Sequence, residues 1–204
     1  MIDNKAMFSL SYGLFILSAR DNDFNNGCII NTVMQITNNP KQIVIGVNKT
    51  NKTHDMILKS GKFNISVISE NADFSLFERF GFKSGNDVDK FSDFSETETS
   101  SNGVLYVIKD TNAYISAEVV SQIDCGTHSM FVASVCEAKV LSGDKSATYD
   151  YYFENIKPKP QKSDTDKKKY VCKICGYVYE GEKLPEDFVC PLCKHGAEDF
   201  EEIN

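Results

Sequence analysis

The chain has 204 residues, 41% hydrophobic and 25% charged, the balance of a globular protein with one mid-sized domain and room for a small second one. A formal net charge of -7 argues against a nucleic-acid partner, whose phosphates demand a basic face. No apolar run approaches the ~20 residues that span a bilayer, and Met1-Ile2-Asp3-Asn4-Lys5 has neither the basic start nor the apolar core of a secretion signal, so a cytoplasmic location with no membrane contact is expected.

In chain order, runs rich in Val, Ile, Phe and Tyr, bounded by Asn, Asp and Gly clusters, predict strands over 8–19, 29–37 and 43–47. A helix is expected near Thr53, taken as its N-cap, ending before Gly61. A strand over 63–68 follows, then a helix after Asn71 with Phe74, Phe77 and Phe80 on one side. Further strands are expected over 104–108, 113–123 and 131–141. With no βαβ repeat and no G-x-G-x-x-G, the economical fold is mainly β, an antiparallel barrel with a few helices packed on it.

The composition then changes. Residues 157–169 read KPKPQKSDTDKKK, six lysines against two aspartates, which describes an extended solvated linker. It divides a domain over 1–156 from a small acidic one over 170–204. Four of the seven cysteines fall in that tail as two Cys-x-x-Cys pairs, Cys172 with Cys175 and Cys190 with Cys193. Cys28, Cys125 and Cys136 are scattered, and an odd count argues against a disulfide framework. Each pair can form a tight turn presenting two thiolates, and two such turns make a tetrahedral S4 cage. The geometry suits iron and zinc equally.

In the larger domain, INTVMQIT places Asn31, Thr32, Gln35 and Thr37 along a strand, and NKTNKTHD brings Lys49, Asn51, Thr53 and His54 to the start of the first helix. Amides on a strand suit the hydrogen-bonding edge of a flat heterocycle, and a lysine with hydroxyls at a helix N-terminus suits a phosphate. The same residues also suit an ordinary Asn/Thr-rich turn, and the three histidines, His54, His128 and His195, form no catalytic signature.

Local words in the tail are more specific. CxxCGYxYxG, an acidic stretch, then FVCPLC and a closing Phe resemble rubredoxin. That resemblance implies one iron held by Cys172, Cys175, Cys190 and Cys193, with Tyr177, Tyr179, Phe188 and Phe200 as the aromatic core. Only 14 residues separate Cys175 from Cys190, which brings the segment nearer the rubredoxin-like tails of rubrerythrins; separately, Lys194 stands where glycine is usual and tryptophan is absent. From Tyr12 to about Leu141, the words NGCIINTVMQIT, NKTNKTHDMI, KFNISVIS, FERFGFKSGNDVDKF and CGTHSMFVASV resemble the flavin-reductase-like, FMN-binding split-barrel family. The resemblance implies FMN in a groove of a homodimer, with Asn31, Thr32, Val33 and Gln35 along the isoalloxazine. It places Lys49, Asn51, Thr53 and His54 at the phosphate. The 81–91 loop and His128, the candidate catalytic residue, would border the open flavin face where NAD(P)H stacks. The fusion resembles the high-molecular-weight rubredoxins, which implies electron flow from NAD(P)H through FMN to iron and on to a flavodiiron-type protein that reduces dioxygen or nitric oxide. A passive FMN and iron carrier served by a separate reductase, and a zinc-ribbon binding protein, are the alternatives.

Overall fold

β-branched and aromatic runs of the first 140 residues pair almost entirely with one another. A computed structural model describes residues 4–158, 168–173, 177–190 and 195–203, and divides the chain into two units, Met1–Lys157 and Pro158–Asn204. After a 3-10 turn (Asn4–Ser9), the first unit contains β1 (Phe15–Asp21), β2 (Phe24–Ile30), β3 (Val33–Asn38), β4 (Lys41–Asn48), α1 (Lys52–Ser60) and β5 (Lys62–Ile68). Then come α2 (Phe74–Phe77), running into a π-helical turn (Glu78–Phe82), β6 (Thr97–Thr99), β7 (Leu105–Val107), β8 (Thr111–Asp124), β9 (His128–Val140), and α3 (Tyr149–Tyr151) with a second π-helical turn (Tyr152–Ile156).

Seven strands form one sheet in the order β2-β1-β5-β8-β9-β4-β3, antiparallel at every ladder. Residues from one face of all seven meet in a single core: Leu17, Cys28, Val33, Ile45, Phe63, Ala117 and Phe131 represent them in chain order. The sheet is therefore curled on itself, with Met56 and Ile57 of α1 packed into that core. Its edges, β2 and β3, share no ladder among the described residues, which is the split in the barrel.

The opposite face of β1 and β5 is also covered. Ile16 and Ile68 pack under Leu76, Phe77 and Phe80 of the second helical segment, where Phe74 also lies, as its spacing predicts. Beside them Ser18, Asn64 and Ser66 are fully buried. The β6–β7 segment satisfies them: Ser18 Oγ donates to the Leu105 carbonyl, Asn64 Nδ2 donates to Val104 O at 2.7 Å, and Ser66 Oγ accepts from Val107 N at 2.9 Å.

Several boundaries differ from expectation. The run over 8–19 becomes a strand only at Phe15, and Asn31-Thr32 breaks the run over 29–37 into the end of β2 and β3. The front of β2, FNNGC, lies outside the predicted strands but pairs with β1 across a hairpin whose Asn22 has φ 54°. Asn51 rather than Thr53 caps α1, its Oδ1 accepting from Thr53 N at 3.1 Å, and Gly61 closes the helix at φ 67°.

Stacked tyrosines secure the β6–β7 segment. Tyr106 and Tyr114 lie with ring centroids 3.7 Å apart and planes at 13°. Tyr106 donates to Glu98, and Tyr114 donates to Glu137 Oε1 at 2.7 Å. Glu137 also accepts from Ser101 N at 2.8 Å. The tyrosine hydroxyl first, then the Ser101 N–H, hold the Glu137 carboxyl down to about 2, against 4.5 for an unperturbed group. A depressed folded-state pKa means stability present above pH 4.5 that disappears as the pH falls towards 2. Glu137→Gln is therefore expected to be less stable than wild type near neutrality, with the difference closing between those limits; a difference unchanged down to pH 2 in acid-unfolding curves would show that the carboxylate is not the source.

The second unit has three antiparallel strands ordered β11-β10-β12: β10 (Lys168–Cys172), β11 (Val178–Gly181) and β12 (Phe200–Ile203). Its core gathers Cys172, Cys190 and Phe200 with Tyr170, Tyr177, Tyr179, Leu184 and Phe188. The four expected aromatics are there, and Tyr170 and Leu184 join them. Of the expected linker, 159–167 lie outside the described residues. Lys168 and Lys169 belong to β10, facing Glu202 at 2.9 Å and Glu180 at 3.3 Å.

Candidate flavin and metal sites

Asn31 and Thr32 form the bend between β2 and β3, where the Thr32 carbonyl accepts from Gly46 N at 3.1 Å. A Cβ on Gly46 would lie 3.2 Å from the Thr32 methyl, so the small residue lets the bend sit close on β4. From Gly46 the β4–β9 ladder runs to Asn48 opposite His128, and Lys49 N donates to Thr127 O at 3.0 Å. One end of the sheet thus collects Asn31, Thr32, Lys49, the first turn of α1 and the exposed His128, whose Nδ1 is 2.9 Å from Thr127 Oγ1. Gln35 follows on β3. Its Nε2 donates to Thr37 O at 3.2 Å, and with Val33, Phe15, Ile43 and Ile115 it lines a mainly apolar cavity of about 390 Å³.

At the phosphate end, two expectations are corrected. His54 is buried, with Nδ1 3.0 Å from Asp55 Oδ1, Nε2 2.9 Å from Ser129 Oγ and its ring 5.6 Å from that of Phe131. Both ring nitrogens are committed, so His54 ties α1 to β9 and offers nothing to a ligand. The Thr53 side chain is also fully buried, its Oγ1 accepting from Asn26 Nδ2 at 2.8 Å. Lys49 forms a 2.6 Å ion pair with Asp124, whose carboxyl is held low by that lysine and by Gly126 N–H. The pair is solvent-exposed on both sides, so water and salt screen it.

Three residues not singled out in the sequence complete this region. The Lys52 ammonium lies 3.9 Å from the Phe24 ring centroid and donates to Gly85 O at 3.0 Å. Asn26 is fully buried, and its Oδ1 has no partner. Lys90 is buried, donating to Gly27 O at 2.8 Å and Phe80 O at 3.1 Å; burial lowers its pKa and raises that of nearby Cys28, a packed thiol. Lys52 lay in plain view within NKTNKTHD, but nothing local marks it over Lys49. A planar acceptor edge at Asn31-Thr32, and cations with amides around a nine-residue helix start, form a donor set that fits a flavin mononucleotide.

In the second unit, Cys172 N donates to Tyr177 O and Cys190 N donates to His195 O, both at 2.8 Å. The two arms close with the same five-residue step, as twin metal-binding turns require. Both cysteines are fully buried among aromatic rings. Cys175 and Cys193, with Gly176 and Pro191, lie outside the described residues. Soft thiolates in a low-polarity shell suit an iron or zinc ion, and four of them saturate it.

A split barrel carrying this donor set, joined to a thiolate-rich acidic unit, defines a flavin reductase-like domain fused to a rubredoxin-like one. Residues 7–159 match the flavin reductase like domain and residues 170–201 the rubrerythrin, rubredoxin-like domain, and the chain belongs to the flavin reductase-like family. It is 36% identical to the high molecular weight rubredoxin of Moorella thermoacetica, over 99% of this chain and 100% of that one. It is 38% identical to the ferric-chelate reductase (NAD(P)H) of Archaeoglobus fulgidus, over 74% of this chain and 89% of that one. Among solved structures it resembles an FMN-binding protein from Thermus thermophilus, with a TM-score of 0.61 and 18% identity over 86% and 90% of the two chains. The chain is an oxidoreductase. No helix among the described residues is long and apolar enough to cross a membrane.

Proposed function

We propose that this protein is an electron-transfer flavo-rubredoxin, taking electrons from NAD(P)H through FMN to an Fe(Cys)4 centre and delivering them singly to a separate redox protein. The observation that carries this reading is the fusion itself: both units match, end to end, a single relative of the same arrangement. Bound flavin supplies the conversion from a two-electron hydride donor to one-electron steps, which the iron centre requires. Asn31 and Thr32 orient the edge of the ring, and Lys49 and Asn51 hold the phosphate at the start of α1. His128 borders the face on which the nicotinamide stacks. Cys172, Cys175, Cys190 and Cys193 saturate the metal, so this unit passes electrons and transforms no substrate.

The terminal acceptor is of the flavodiiron type, and the working unit is a cytoplasmic homodimer. Met34 and Ile36 on edge strand β3, 61% and 45% exposed, support coverage of that edge by a second copy. The first check is the protein as isolated. A red-brown sample with about one iron and one FMN per chain is expected. A colourless zinc protein without flavin would overturn both halves of the proposal.

A further inference from the structure

The first turn of α1 is electrostatically unusual. Lys49 and Lys52 flank its cap, Asn51, where cations oppose the helix dipole. The acidic residue of that turn, Asp55, is engaged with His54. Asp124 compensates Lys49, but Lys52 makes no ion pair among the described residues. Its ammonium rests on the Phe24 ring and the Gly85 carbonyl, a half-satisfied position for a group with three donors.

Beside it is a buried amide with an empty valence. Asn26 reaches Thr53 of the same turn through Nδ2 and leaves Oδ1 unpaired, an unfavourable state for a buried acceptor. Turning the carboxamide over would keep the Thr53 bond and present a donor instead. The segment in front of it is held close: a Cβ at Gly85 would lie 2.3 Å from Asn26 Oδ1, so only glycine permits the approach. Lys90 fastens the far end of the same segment to Gly27 and Phe80. Residues 84–90 are thus strapped across β2 to the start of α1 by two lysine side chains, one buried and one half-exposed.

We propose that Lys52 is the specificity-determining residue that makes this site choose a phosphorylated flavin over riboflavin, with the 84–90 strap fixing its ammonium at the helix start. This rests on the flavin-site reading above. The Gly85 carbonyl holds the lysine in place until a phosphate offers it a full charge, a stronger acceptor than a neutral carbonyl. Lys49, already satisfied by Asp124, contributes less to the choice.

The test is fluorescence titration of flavin-depleted full-length chain with FMN and with riboflavin, in wild type, Lys52→Met, Lys52→Arg and Lys49→Met, beside their thermal midpoints. Lys52→Met is expected to lower the FMN-over-riboflavin preference at least tenfold, about 1.4 kcal/mol, through FMN alone. Lys52→Arg should retain the preference, and Lys49→Met should change it less than Lys52→Met does. A purely structural role for Lys52 would weaken both flavins together, and that result, or an unchanged preference in Lys52→Met, overturns the inference while leaving the flavin site intact. Wild-type chain that binds neither flavin would remove the site itself, and the inference with it.

Discussion

Cys172→Ser will empty the metal centre and unfold the second unit while the barrel stays folded. The buried apolar core of that unit is Cys172, Cys190 and Phe200, and the first two are metal ligands in the proposed centre. A unit of this size lacks the surface-to-volume ratio to fold on hydrophobic burial alone and needs a staple. Structural metal sites supply ~10–16 kcal/mol in comparable small domains. Serine keeps the volume but not the soft thiolate, so that contribution largely goes. Metal content should fall to near zero, and amide protection in β10, β11 and β12 should be lost, with protection in β1, β5 and β8 unchanged. Electron delivery to an external protein should fall by at least about 100-fold, an effect of ~2.7 kcal/mol, with flavin bleaching by NADH retained. Cys190→Ser should behave alike, because its arm closes by the same step. Full iron occupancy in either variant would contradict the tetrathiolate assignment.

Phe131→Ala carries the largest expected cost in the barrel, about 3–5 kcal/mol. Its ring is fully buried in the core that all seven strands of the main sheet share, and it also supports His54. Such a loss is a large share of the ~5–15 kcal/mol that usually holds a domain together. The same cavity removes the platform that fixes the first turn of α1, so weaker FMN binding should accompany it. Urea unfolding followed on the first unit, with flavin titration beside it, checks both effects; a cost below about 1 kcal/mol would show that the core collapses to fill the space.

What the sequence made legible follows the range of the interactions involved. Two Cys-x-x-Cys pairs are local, so a candidate tetrathiolate site is legible within four residues of each, whereas the aromatic residues that share the core of the second unit came from the resemblance to rubredoxin. The Phe74, Phe77 and Phe80 face was legible for the same reason. His54 was not: its partner Ser129 lies 75 residues away, and only that pairing separates a structural histidine from a phosphate ligand. Thr53 is captured by Asn26, 27 positions earlier, inside a strand whose FNNGC start lies outside the predicted strands. Likewise Ser18, Asn64 and Ser66 look like solvent-facing positions, and only the β6–β7 segment folding over them makes them core. Local chemistry was visible; commitments made by distant partners were not.

In the proposed function, one chain carries electrons from a two-electron donor to a one-electron centre. An anaerobic titration of the intact protein with NADH, recorded across the visible spectrum, tests it most directly. Flavin takes two electrons and iron one, so both chromophores should bleach fully at about 1.5 equivalents of NADH per chain. Flavin that bleaches while the iron band stays oxidised, or a protein that NADH leaves unchanged, would contradict it.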